Sequence, residues 1–227
     1  MYNIIMKNPF ALTIFLNVLL VWHGSLKAEV ENYKADICVY GGTASGVMAA
    51  LAAEKEGSTV ILIEPTRCLG GMTGGGINHL DWGKGETVGG STYKILMEGL
   101  KDQKRAHGGH AKYGIGNKQY RERFKKLVKD RGITVIYDHR VGKVQVGNET
   151  INKPTREQPI ALGEKIVSKN KNNFIQSIVL DYAPVDETGC PIPVPKKRNV
   201  ITVSAKVFID CSYEGDILGM SGVRYTW

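Results

Sequence analysis

Ala35-Asp36-Ile37-Cys38-Val39-Tyr40-Gly41-Gly42-Thr43-Ala44-Ser45-Gly46 is the stretch that decides the fold. An apolar run ends at Tyr40, a glycine turn follows, and an alanine-rich segment covers residues 44–56, so the local reading is strand, tight turn, helix. Gly57 stops that helix, and Thr59-Val60-Ile61-Leu62-Ile63 is β-branched and apolar, as a parallel strand covered on both faces must be. Strand, helix and strand within about 30 residues make a βαβ unit. The turn at its start approximates the G-x-G-x-x-G fingerprint. There the first glycine makes the tight turn, the second lets backbone meet a pyrophosphate and the third lets helix pack on strand. Gly41 and Gly46 stand at the first and third positions and Thr43 at the middle one, while the start of the helix offers free N–H groups and a positive dipole end to phosphate. Glu64 closes the second strand 18 residues after Gly46. A carboxylate there can accept hydrogen bonds from both ribose hydroxyls and would repel a 2′-phosphate, which disfavours NADP.

Outward from this unit, Glu64-Pro65-Thr66-Arg67-Cys68-Leu69-Gly70-Gly71-Met72-Thr73-Gly74-Gly75-Gly76 spends five glycines directly after the acidic strand end. Backbone must approach something closely there. A helix is expected over residues 91–106, with Tyr93, Leu96, Met97 and Leu100 on one face. A second, strongly basic helix is expected over 118–131, leading into a strand at 133–137. Beyond Val141 the texture changes to short strands at 141–146, 174–181, 200–204 and 207–209, with the turn Cys190-Pro191-Ile192-Pro193-Val194-Pro195 among them. This pattern predicts an antiparallel excursion before the chain rejoins the parallel sheet at Val207, and a last helix over 213–220.

The chain has 227 residues, 42% of them hydrophobic and 23% charged, which suits one large globular domain and excludes a disordered chain or a disulfide knot. Glycine makes up about 12%, and 18 of the 27 glycines fall between Gly41 and Gly116. Net charge is +8, and much of the excess sits in the basic helix. Tyr120, Phe124, Leu127 and Val128 recur there at i, i+4, i+7 and i+8, so its basic residues form a solvated face, and no nucleic-acid partner is expected. Residues 10–22 are apolar apart from Thr13 and Asn17, follow Lys7 and precede Ser25-Leu26-Lys27-Ala28, the pattern of a secretory signal peptide cleaved after Ala28. Such a leader is too short for a stable membrane span, and it predicts an exported protein. Its loss would remove two of the 30 basic residues and none of the 22 acidic ones, leaving +6. Cys38, Cys68, Cys190 and Cys211 show no clustered spacing and read as small apolar residues, not a disulfide framework or a metal site. His107-Gly108-Gly109-His110 reads as a polar loop, with no metal expected.

The combination of Val39-Tyr40-Gly41-Gly42-Thr43-Ala44-Ser45-Gly46, Leu69-Gly70-Gly71-Met72 and Phe208-Ile209-Asp210-Cys211-Ser212-Tyr213-Glu214-Gly215-Asp216 resembles the FAD-dependent oxidoreductases of the glutathione-reductase-like type. It is most similar to the bacterial group related to the flavin subunit of heterodisulfide reductase. The resemblance implies a Rossmann-like α/β FAD/NAD(P)-binding domain over residues 33–227, with FAD as cofactor and hydride or electron transfer as its chemistry. It implies that Gly41, Gly42, Thr43, Ala44, Ser45 and Gly46 hold the pyrophosphate, that Glu64 with Pro65 holds the adenosine ribose, and that Arg67, Gly70, Gly71, Met72 and Thr73 attend the phosphates and ribityl chain. Asp210 and Ser212 would belong to the later turn that returns beside the cofactor, whereas Glu214 and Asp216 fit either that role or capping of the last helix. His79 and Asp81 could serve as proton donor or acceptor or lie in a plain loop, and Cys68 reads as inert without a partner thiol. Relatives carry cysteine clusters for iron–sulfur centres, which four isolated cysteines do not reproduce, and they continue into a substrate domain, so the chain is expected to be an N-terminal portion. The small-molecule substrate and the catalytic base are left unassigned. Two other readings stay open: an NAD-dependent dehydrogenase, against which the glycine stretch after Glu64 argues, and a truncated, non-catalytic secreted protein linked to polysaccharide.

Overall fold

A computed structural model describes residues 30–75, 90, 117–153 and 174–223. The leader, the helix expected over 91–106, and His79, Asp81, His107 and His110 lie outside the described residues. The described residues from Glu31 onward belong to one compact unit.

A seven-stranded sheet organises that unit, in the order β3-β2-β1-β7-β6-β4-β5. Strands β1 (Glu31–Tyr40), β2 (Val60–Glu64), β3 (Thr134–Tyr137) and β7 (Lys197–Asp210) run parallel, while β6 (Ile175–Tyr182), β4 (His139–Val146) and β5 (Glu149–Asn152) form the antiparallel excursion. Every residue of β2 is buried, as expected of a central parallel strand whose side chains meet a packed layer on either face. Val60 and Leu62 point to one core with Val39, while Ile61 and Ile63 point to the other with Cys38 and Tyr40. Helix α1 (Ala44–Lys55) covers the first face through Val47 and Ala50. Helix α3 (Asn117–Asp130) joins it there through Tyr120, Phe124 and Val128, the i, i+4, i+8 stripe read from the sequence. Each such buried side chain is worth about 1.5–3 kcal/mol relative to exposure.

Several local expectations change. The runs at 200–204 and 207–209 are one strand, because β7 pairs with β1 along its length from Ile201 to Asp210 and with β6 only up to Ser204. The polar Lys206 that reads as a break instead pairs with Asp36 across to β1 at 2.6 Å. Strand β5, too polar to stand out, exists as the hairpin partner of β4. Part of the glycine-rich loop winds into a single helical turn, α2 (Gly71–Gly75), and the last helix, α4 (Asp216–Met220), begins three residues later than the pattern suggests, at Asp216. Of the four cysteines, all unbridged, Cys38 is buried and burial pushes its thiol up to about 12, but Cys190 is exposed at a hairpin tip and is not a core residue. No helix among the described residues is long and apolar enough to cross a membrane.

Candidate functional site

The chain leaves β1 toward β2 and β3 on one side, and β7 returns on the other, so the crevice between the ends of β1 and β7 is the switch point of the sheet. Cys211 donates its N–H to Tyr40 O at 2.7 Å there, and Gly41 turns away with φ +93°, a conformation that costs glycine nothing. A Cβ on Gly41 would lie 2.6 Å from Ser212 N, and one on Gly46 would run into the Gly41 carbonyl. Turn, helix and returning strand therefore meet backbone to backbone.

Thr43 explains the departure from the fingerprint. It is the N-cap of α1, with its Oγ1 accepting from Gly46 N–H at 3.1 Å and donating to the Cys211 carbonyl at 2.9 Å. One hydroxyl both caps the helix and ties it to the end of β7, which glycine could not do. The N–H groups of Ala44 and Ser45 have no partner within the helix and none among the described residues, which leaves them at its positive end. Thr43→Ala is expected to lower the unfolding free energy by about 1 kcal/mol, with Thr43→Ser close to wild type, as read by urea denaturation.

Around this turn lies a cleft of about 470 Å³, within the usual range for a small-molecule site. Gly41, Thr43, Glu64, Pro65, Gly71, Met72 and Ser212 line it among the residues singled out in the sequence. Gly42, Gly46 and Gly70 are buried behind its wall, and Ala44, Ser45 and Thr73 are not among its lining residues. Glu64 is buried, 6% exposed, and already accepts three hydrogen bonds: Oε2 from Gly42 N–H at 2.8 Å, and Oε1 from Thr66 N–H at 2.7 Å and from Thr66 Oγ1 at 2.5 Å. A carboxylate has about four lone-pair positions. One remains, so Glu64 has room for a single ribose hydroxyl rather than the pair expected. Burial pushes its carboxyl above the usual range, against the pull of the Thr66 and Gly42 donors.

Two expected roles change. Arg67 is not among the cleft's lining residues: its Nε lies 3.0 and 2.8 Å from the two oxygens of Asp138 and its guanidinium pairs with that carboxylate. Asp138, at φ +61° between β3 and β4, is where the excursion leaves the parallel sheet, so Arg67 braces a corner. Arg67→Ala is accordingly expected to leave FAD affinity within about twofold of wild type in calorimetric titration. Asp210 is likewise spent locally, accepting from Ser212 N–H, Ser212 Oγ and Leu218 N–H, which makes it the brace of α4. Asp216 does reach the cleft, held by Lys153 Nζ at 2.7 Å and by the buried Tyr40 hydroxyl at 3.2 Å. Glu214 and Tyr213 line the cleft as well. So do Gly189 and Pro191 from the hairpin closed by the Val185–Pro191 bridge. The turn that holds Pro191 is visible in the sequence, but its place at the cleft is not, since β6 and β7 bring it there. No group of three or more metal-ligating side chains occurs among the described residues.

A switch-point cleft built on a glycine turn and an acidic strand end defines a dinucleotide-binding α/β protein. The chain belongs to the FAD dependent oxidoreductase family, whose model matches residues 36–167, and FAD is the cofactor this membership indicates. No curated protein matches. Among solved structures, it is similar to L-proline dehydrogenase from P. horikoshii (14% identity, 81% of this chain and 23% of that one, TM-score 0.41). It is also similar to a geranylgeranyl bacteriochlorophyll reductase-like protein from Thermoplasma acidophilum (15%, 85% and 43%, TM-score 0.46). A third likeness is to a flavoprotein/dehydrogenase from Cytophaga hutchinsonii (14%, 82% and 40%, TM-score 0.44). The chain spans less than half the length of each of the three, and at such TM-scores nothing about its function rests on them.

Proposed function

We propose that residues 33–227 are the FAD-holding portion of an exported oxidoreductase acting on a small-molecule substrate. The observation that carries this reading is the convergence of the Gly41–Gly46 turn, the Glu64 carboxylate and the Gly71-Met72 backbone on one cleft at the switch point. The residues fit the group: Gly41 and Thr43 at the head of α1 border a cleft of small-molecule size, and Glu64, which also lines it, keeps one acceptor position open.

When bound, FAD supplies hydride and electron transfer. The chain's own groups bind and orient. The N–H groups of Ala44 and Ser45 favour a phosphate at the head of α1. The open position on Glu64 Oε2 accepts one ribose hydroxyl, and its negative charge disfavours a 2′-phosphate. Thr43 keeps turn, helix and β7 in fixed register. Export rests on the leader pattern, and an N-terminus beginning at Glu29 in protein recovered from the producing cells would support it. Competition titration with FAD and NAD tests the cofactor: FAD retention with a flavin absorbance band is expected, and NAD displacing FAD would favour the dehydrogenase reading.

A further inference from the structure

We propose that Tyr213 is a binding residue for the cofactor's pyrophosphate, its phenolic O–H donating to a phosphate oxygen. This deepens the FAD reading and rests on it.

Among the described residues, the cleft's lining includes three carboxylates, Glu64, Glu214 and Asp216, and neither lysine nor arginine. Lys153 neutralises Asp216 but is not among the lining residues, and Arg67 is held by Asp138. A pyrophosphate bridge is dianionic, so a site with this lining must hold it with neutral donors and oriented backbone dipoles. The N–H groups at the head of α1 are one such set, and a hydroxyl with a spare hydrogen is the other kind of group required.

Tyr213 supplies it in the right place. Its Oη accepts the Met72 N–H at 2.8 Å, which fixes the oxygen and leaves its own hydrogen uncommitted among the described contacts. The oxygen sits directly over Gly71: a side chain on that residue would collide with Tyr213 Oη and would also press on Thr43 Cα at 3.2 Å. The phenol thus lies between the dinucleotide turn and α2, with Gly71 bare beneath it. Tyr213 is 60% exposed, so core packing does not account for its position. Thr43 Oγ1, the nearby alternative donor, already gives its hydrogen to the Cys211 carbonyl.

The test compares wild type with Tyr213→Phe in the full chain, by calorimetric titration with FAD, ADP and adenosine, alongside urea unfolding of each protein. The phenyl ring keeps the packing and removes only the hydroxyl. Loss of a hydrogen bond to a charged group predicts FAD and ADP binding weakened about tenfold or more, with adenosine, which lacks phosphate, unchanged within about twofold. Equal weakening of ADP and adenosine would mark Tyr213 as a structural tie between α2 and the β7–α4 turn and overturn the proposal. Unchanged ADP affinity overturns it too. A wild-type chain that binds neither FAD nor ADP overturns the FAD reading itself, an outcome distinct from a Tyr213→Phe chain that binds both as wild type does.

Discussion

Gly46→Ala is expected to eliminate FAD retention and to lower the unfolding free energy by about 2–4 kcal/mol. The added methyl would enter the Gly41 carbonyl and approach Cys211 Cβ to 3.2 Å. The Gly41 carbonyl is backbone and cannot rotate aside. Helix α1 must therefore lift from β1, and the lift breaks the Gly46 N–H to Thr43 Oγ1 cap and, with it, the tie from Thr43 to the Cys211 carbonyl. The N–H groups that face the phosphate move with the helix. Flavin absorbance after gel filtration and a urea melt are the two readouts. An alanine variant that keeps its flavin and its midpoint would show that the turn is looser than its contacts indicate. The same substitution at Gly57, where nothing lies within 4 Å of the added carbon but φ is +84°, is expected to cost less, about 1 kcal/mol.

Glu64→Ala is expected to weaken FAD binding at least about 100-fold and to destabilise the chain by about 2–3 kcal/mol. Removing the carboxylate leaves Gly42 N–H without its buried acceptor and frees the Thr66 turn that shapes the cleft beside it. Glu64→Gln separates charge from shape. Because burial raises the carboxyl of Glu64 in the folded chain, folding takes up a proton there. The contribution of Glu64 to stability is then full below the ordinary carboxylate range and declines as pH rises through the raised value. Unfolding free energies at about pH 5 and about pH 8 should differ less in the glutamine variant than in wild type. An unchanged pH slope would remove Glu64 as its source.

Much of this was legible in the sequence because it depends on local rules. The apolar run to Tyr40, the glycine turn, the alanine-rich helix and the β-branched run to Ile63 are one βαβ unit, and β1, α1 and β2 form there. The stripe Tyr120, Phe124 and Val128 buries the helix face that its period indicates. Where neighbours in space set the outcome, reading residue by residue fails. Arg67 reads as a phosphate ligand because it is a cation in a cofactor loop, yet Asp138, 71 residues away, claims it. Ala205-Lys206 reads as a break, yet β1 lies alongside and Asp36 pairs with the lysine, so β7 runs through.

By itself, then, the sequence determined the class of fold and the dinucleotide turn, since backbone stereochemistry at glycine and the periods of strand and helix act over a few residues. Only the tertiary structure decided what the polar groups do. Whether Thr43 is a gap in a fingerprint or a cap tied to β7, whether Asp210 faces a cofactor or its own turn, and whether Tyr213 reaches Gly71 all depend on β7 returning beside β1. A hydrogen bond is short and directional, so its partner is settled by where distant segments come to rest.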